Sequence, residues 1–195
     1  MLALPIFDRA RRIKVNPDAP QLPLRTAALA RGIDVYMPTP RLRAGFLCLE
    51  ARNIPAKQRR HAASLSGCKK FARAVPLDAL PGFDVIVCGS VAVTLDGARA
   101  GKGEGYSDLE FAILRELGHP PAPVATSVHE HQIVDVLPSE PTDLPLRFIA
   151  TPERAVEVRS PLPAPRGIDW TRLTDEDLKA MPVLAELRDM PRPTT

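Results

Sequence analysis

The sequence predicts an α/β protein built on a mainly parallel sheet, and three observations carry that expectation. Short β-rich runs alternate with helical runs of about ten residues, the pattern that βαβ units leave in a chain. The run Phe83-Asp84-Val85-Ile86-Val87-Cys88 is apolar almost throughout, which suits a strand covered on both faces. The thirteen residues from Asp96 to Asp108 hold four glycines, two cations and a terminal carboxylate. They lie between a strand-like and a helix-like run, and in open α/β sheets ligands bind beyond the carboxyl ends of strands.

Taken in order, Phe7 to Arg12 has a helical pattern, and Ile13-Lys14-Val15 reads as a short strand cut off by Asn16-Pro17-Asp18. Leu24 to Arg31 is a helix stopped by Gly32. Ile33 to Met37 is β-rich and ends at Pro38, and Gly45 to Glu50 is a further strand. Residues 53–70 are polar and cationic without a clear period. Phe83 to Cys88 is bounded by Pro81-Gly82 and Gly89-Ser90, and Ser90 to Leu95 extends it or forms a second strand. After the glycine loop, Leu109 to Leu117 reads as a helix. Strands are expected at Pro123 to Val128, Gln132 to Val136, Arg147 to Ala150 and Ala155 to Val158. Ser160, Pro161, Pro163 and Pro165 mark an extended linker, so residues 1–160 form the body and 161–195 a tail docking on it. Thr174-Asp175-Glu176-Asp177 signals a helix start in that tail.

The glycine loop has the chemistry of an anion site. Alternate glycines at 101, 103 and 105 permit positive φ and close backbone approach. Successive N–H groups would form a concavity for phosphate, to which Arg99 and Lys102 add positive charge and the following helix its N-terminus. Asp108 is placed to cap that helix or to hold a divalent cation against phosphates. A plain surface turn is the competing explanation.

Composition narrows the rest. With 195 residues, 45% of them hydrophobic, the chain can bury a real core. A net charge of +3 does not by itself call for nucleic acid. Cys48, Cys68 and Cys88 are odd in number and far apart, which fits buried thiols in a reducing compartment better than disulfides or zinc. No apolar run approaches the roughly 20 residues that span a bilayer, and Met1-Leu2-Ala3-Leu4-Pro5 is too short for a signal peptide. A cytoplasmic protein without a membrane partner is expected.

On these motifs the sequence resembles the 5-formyltetrahydrofolate cyclo-ligase family (methenyltetrahydrofolate synthetase), whose hallmark is a glycine-rich run ending in Tyr-Tyr-Asp after a strand. The matching run here is Gly97 to Asp108. The paralogous branch of methenyltetrahydrofolate synthase domain-containing proteins is similar at 13–18, 38–43, 89–93, 101–106 and 132–135, and through 167–184. The resemblance implies a three-layer α/β sandwich of cyclo-ligase type with ATP and Mg2+ as cofactors. It implies that Arg99, Gly101, Lys102, Gly103, Glu104, Gly105 and Tyr106 hold the nucleotide, with Arg99, Lys102 and Tyr106 as catalytic residues. Asp108 matches one magnesium ligand and Asp143, in Thr142-Asp143, the second. In the family the substrate formyl oxygen attacks ATP, a neighbouring ring nitrogen captures the phosphorylated formyl group, and phosphate leaves.

Several positions depart from that pattern. Ser107 stands at the second tyrosine, Glu104 at a frequent lysine, and Leu109 where arginine commonly follows the aspartate. Pro20 to Arg25 offers no counterpart of the family's folate-binding glutamate. The usual N-terminal basic helix has no counterpart before Met1, so either the start codon is misassigned or the protein is shortened. Asn16, Asp18, Arg41 and Arg43 are weaker substrate candidates, the arginines for an anionic group.

Three functions follow from this. The first is an ATP- and magnesium-dependent ligase acting on 5-formyltetrahydrofolate or a related N-formyl compound, giving 5,10-methenyltetrahydrofolate from the former. The second is a paralogue with another small-molecule role, such as thiamine-related salvage. The third is a non-catalytic nucleotide- or RNA-binding module using the basic run between Lys57 and Arg73, whose competing explanation is a solvated helix face. Nucleic acid is not the expected partner. His129-Glu130-His131, if on a strand, would put both imidazoles on one side for a metal. A cleft-lining strand end is the simpler reading, and Ser127 beside them lacks a nucleophile elbow. Trp170 is expected to anchor the tail by packing.

Overall fold

The computed structural model describes residues 1–159 and 162–191. Its main sheet holds strands β1 (Arg12–Val15), β2 (Asp34–Pro38), β3 (Phe46–Leu49), β4 (Arg73–Val75), β5 (Val85–Cys88), β8 (Val124–Ser127), β9 (Phe148–Ala150) and β10 (Ala155–Glu157). A separate hairpin pairs β6 (Ala92–Val93) with β7 (Arg99–Ala100). The helices are α1 (Leu22–Ala30), α2 (Arg59–Ala62), α3 (Leu65–Cys68), α4 (Tyr106–Glu116), α5 (Asp175–Ala180) and α6 (Pro182–Asp189).

The strand order is β10-β9-β8-β5-β1-β2-β3-β4. The run β9-β8-β5-β1-β2 is parallel, and the antiparallel pairings β2–β3, β3–β4 and β9–β10 lie toward the two edges. The sheet is therefore mixed and mostly parallel, as the apolar strands anticipate.

Alternation along each strand sorts the side chains into two cores. Ile13, Val15, Val35, Met37, Val85 and Val87 pack with Leu24, Ala28 and Leu29 of α1 and with Ala62 and Cys68 of α2 and α3. Tyr36, Ile86, Cys88, Val124 and Ile149 pack with Phe111, Ile113 and Leu114 of α4 and with Val183, Leu184 and Leu187 of α6. The result is helix, sheet, helix: a three-layer sandwich, with the tail helix α6 completing one outer layer. The division expected at 160 falls on Ser160 and Pro161, outside the described residues.

Most expected elements are present, and four differ. Phe7 to Arg12 is not a helix: a 3-10 turn spans Pro5–Phe7. Asp84 Oδ2 then accepts the Arg11 and Arg12 backbone N–H groups at 2.8 and 2.9 Å, drawing the chain straight into β1. Gln132 to Val136 is not a strand. Residues Glu130–Gln132 form a 3-10 turn capped by His129. Gln132 Nε2 donates to the Ser90 and Val91 carbonyls, so a side chain occupies the edge a strand would need; only Ile133 bridges Val93. The helix after the glycine loop starts at Tyr106, three residues earlier than expected, with Gly105 as its N-cap at φ +66°. The polar stretch 53–70 contains α2 and α3, and β4 follows it without having shown a strand-like period.

Candidate functional site

The order β5-β1-β2 makes β1 the switch point, because the chain leaves β1 for β2 on one side and returns to β5 on the other. A cleft of about 580 Å³ opens beyond its carboxyl end. Its lining includes Asn16-Pro17-Asp18 after β1, the Pro38–Arg41 turn after β2, Gly89-Ser90-Val91 after β5, and the glycine loop between β7 and α4.

The loop's glycines serve different needs. A Cβ on Gly101 would come within 2.7 Å of the Arg99 guanidinium, so a larger residue there would displace the end of that side chain. Gly105 has open space around it but a left-handed backbone, which lets the chain turn into α4 without strain. Arg99, Gly101, Lys102, Gly103, Glu104, Gly105, Tyr106 and Asp108 all line the cleft, as do Asp143, Asn16, Asp18 and Arg41. Arg43 does not, and it is exposed, so of the two candidate arginines Arg41 alone lines the cleft. The Pro40–Leu42 turn explains this: Arg41 and Leu42 both take positive φ, and Leu42 is buried, so the chain reverses between the two arginines.

Asp108 lies in the first turn of α4 without capping it. Its Oδ2 pairs with Arg99 Nη2 at 3.2 Å, and its Oδ1 accepts the Leu144 backbone N–H at 3.0 Å. That second bond brings the neighbouring Asp143, whose Oδ2 accepts the Glu140 N–H at 2.8 Å, to the same wall. Arg99 is 4% exposed; its Nη1 donates to the Gly89 carbonyl, and its Nε is buried without a protein partner. Across the mouth, Lys102 Nζ pairs with Asp18 Oδ1 at 2.8 Å. With Lys102 72% exposed, that pair contributes little to stability and is easily exchanged for a ligand.

Below the cleft lie residues that sequence reasoning did not single out. Lys14 is fully buried and forms an ion pair with Glu110, whose carboxyl is pushed up by burial and pulled back by Lys14. Arg25, 1% exposed, donates to the backbone carbonyls of Asn16 and Asp18 and fixes that turn; burial lowers its pKa. Gln21 is buried at the cleft wall with Oε1 unpartnered. The available signal was a charged residue inside each apolar run: Lys14 between Ile13 and Val15, and Arg25 in α1.

The remaining candidates lie elsewhere. His129 and His131 have ring centroids 4.8 Å apart, but His129 caps its own turn and neither lines the cleft. Glu130 is taken up by Thr151 and Arg154. Among the described residues no group of three or more His, Cys, Asp or Glu side chains gathers as a metal cage. Trp170 packs against the α4-side core and donates from Nε1 to Glu116 at 3.3 Å. No helix among the described residues is long and apolar enough to cross a membrane.

With this geometry in place, comparison with known proteins is informative. The sequence model of the 5-formyltetrahydrofolate cyclo-ligase family matches residues 1–152. A methenyltetrahydrofolate synthase domain-containing protein of Mus musculus is 41% identical over 193 residues, covering 95% of this chain and 52% of the relative. The protein of the same description from Bos taurus is 40% identical over 192 residues, covering 95% and 50%. The chain thus spans about half the length of these relatives. The solution structure of Aquifex aeolicus 5,10-methenyltetrahydrofolate synthetase shares the fold, with a TM-score of 0.51 at 17% identity, over 81% of this chain and 77% of that one.

Proposed function

Because the chain belongs to the 5-formyltetrahydrofolate cyclo-ligase family, we propose that it is a cyclo-ligase-type enzyme. It uses ATP and Mg2+ to convert 5-formyltetrahydrofolate, or a related N-formyl compound, to its cyclised product. One observation carries the reading: the glycine loop, Arg99 and two carboxylates converge on a single cleft at the switch point of the sheet.

The loop N–H groups and the N-terminus of α4 cradle phosphate oxygens. Arg99 brings an unpartnered Nε–H to the same wall, and Lys102 exchanges Asp18 for phosphate at the mouth. Tyr106 closes the loop as the first residue of α4. Asp108 and Asp143 fit Mg2+, which takes one or two carboxylates and fills its shell with phosphates and water. Bound there, the ion supplies neutralisation of charge on the transferring phosphoryl group. The chain's own work is to orient the two reactants and keep their oxygens in line, which supplies most of the rate in phosphoryl transfer.

The test is Mg2+-dependent release of ADP and phosphate on adding 5-formyltetrahydrofolate, with the methenyl product followed by chromatography. Binding of ATP without turnover would leave a nucleotide-binding module instead. A second small-molecule role, of the thiamine-related kind, is the competing reading, and Gln21 bears on the ligand in either case. It offers the cleft a neutral carbonyl acceptor, which suits a ligand N–H without requiring a charged partner. A substrate panel read by thermal shift, with and without ATP, separates the two.

A further inference from the structure

Four polar side chains at the floor of the cleft have no role in the reading above. Lys14 of β1 and Asn16 just beyond its end reach toward α4, and Ser107 and Glu110, three residues apart, face them from the first turns of that helix. Their exposures are 0, 7, 9 and 3%. Burying an ion pair gives little stability compared with an apolar pair of the same size, so the arrangement calls for another explanation.

The bonds have a direction that chemistry fixes. Lys14 Nζ has three hydrogens and no acceptor. It donates to Asn16 Oδ1 at 2.9 Å and meets Glu110 as an ion pair. The Asn16 amide therefore cannot flip, because its Nδ2 would then face the ammonium donor to donor. Nδ2 is held toward Ser107 and donates to Oγ at 2.9 Å. Ser107 Oγ accepts that bond, so its own hydrogen points elsewhere, and among the described residues no acceptor receives it. Ser107 lines the cleft.

We propose that Lys14 and Asn16 lock the Ser107 hydroxyl as a hydrogen-bond donor of fixed polarity to an acceptor oxygen of the bound ligand. Lys14 and Asn16 are positioning residues, and Ser107 is the group that touches the ligand. The shared chemistry is a bare oxygen acceptor, whether a phosphoryl oxygen of the nucleotide or a carbonyl oxygen of the second reactant. The proposal rests on the reading of this cleft as a nucleotide and formyl-substrate site.

Binding of ATP with Mg2+ and of 5-formyltetrahydrofolate is measured separately by calorimetry on the full chain. Ser107→Ala is expected to weaken one of the two by about tenfold, and Ser107→Thr to restore it; the arm that responds identifies the oxygen. Asn16→Asp keeps the shape and still accepts from Lys14, but its carboxylate also accepts from Ser107 and turns the hydroxyl around. It is expected to cost about tenfold alone and nothing further in the Ser107→Ala background. An equal cost in both backgrounds would show added negative charge, not polarity, and would overturn the proposal, as would unchanged affinity in both arms for Ser107→Ala. Neutron diffraction of the wild-type chain decides independently of any ligand or variant. A deuteron bonded to Ser107 Oγ and directed away from Asn16 supports the lock, and one bonded to Oγ and pointing at Asn16 sinks it. Wild-type protein that binds neither probe would refute the cyclo-ligase reading while leaving the neutron result to judge the lock.

Discussion

Arg99 and Asp108 meet as an almost buried cation and a partly exposed anion at 3.2 Å, so each sets the other's availability. On the function proposed above, a divalent ion held by Asp108 would take over part of the carboxylate's charge and free the guanidinium for phosphate. Asp108→Asn is therefore expected to remove the Mg2+ dependence of ATP binding, with at least a tenfold loss at saturating Mg2+ and little change in its absence. Calorimetric titrations at both conditions check this. Equal losses would place Asp108 in a purely structural role. That the glycine loop and Asp108 line a cleft was legible in the sequence because glycines and charged residues are concentrated in one short stretch beyond a strand. Lys14 and Glu110 were not. Each alone reads as a solvated position, and they meet only because α4 crosses over the end of β1. Ser107 was visible as a departure from the family pattern, but its hydrogen-bond partner 91 residues away was not.

The element that feels this crossing most is β1, a four-residue strand between β2 and β5. Lys14→Met leaves the Glu110 carboxylate buried without its counter-charge and is expected to cost about 3–5 kcal/mol, whereas Lys14→Met with Glu110→Leu should recover most of the loss. Urea unfolding of the three proteins measures it; a single variant as stable as the wild type would mean the pair is hydrated or neutral. The central strand β5 was legible because burial on both faces leaves an apolar run, Val85-Ile86-Val87-Cys88, to read. Elements governed by a single side chain were not. Asp84 cancels the helix expected at 7–12 by holding the N–H groups of Arg11 and Arg12, and the Gln132 amide takes the place of the strand expected at 132–136. Both are contacts across some 40 to 70 residues that no local period records.

For the whole molecule, the tail is part of the fold: Val183, Leu184 and Leu187 join the same core as Phe111 and Ile113. Its helix α5 starts with a capping box in which Thr174 and Asp177 bond reciprocally, and these bonds hold the Asp177 carboxyl below its ordinary value. A lowered carboxylate value means that the stabilisation is present above the ordinary range, near 4, and is lost as pH falls through the lower folded-state value. Trp170 is the chain's one tryptophan, so its emission reports the docking of the tail. On acidification through that window the emission is expected to shift to the red, and Thr174→Ala should move the shift to higher pH. Coincidence with global unfolding followed by circular dichroism in both proteins would show that the tail has no separate response. The sheet's order carries one more implication. Strands β1 to β4 come from residues before 76 and β5, β8, β9 and β10 from residues after 84, so among the described residues the two halves of the main sheet share a single strand pairing, β1 with β5. Lys14–Glu110, Asn16–Ser107 and Asp18–Lys102 all cross that line. A molecule seated in the cleft therefore acts as a staple between two lobes of sequence, and whatever it contributes in affinity is felt as cohesion along the seam.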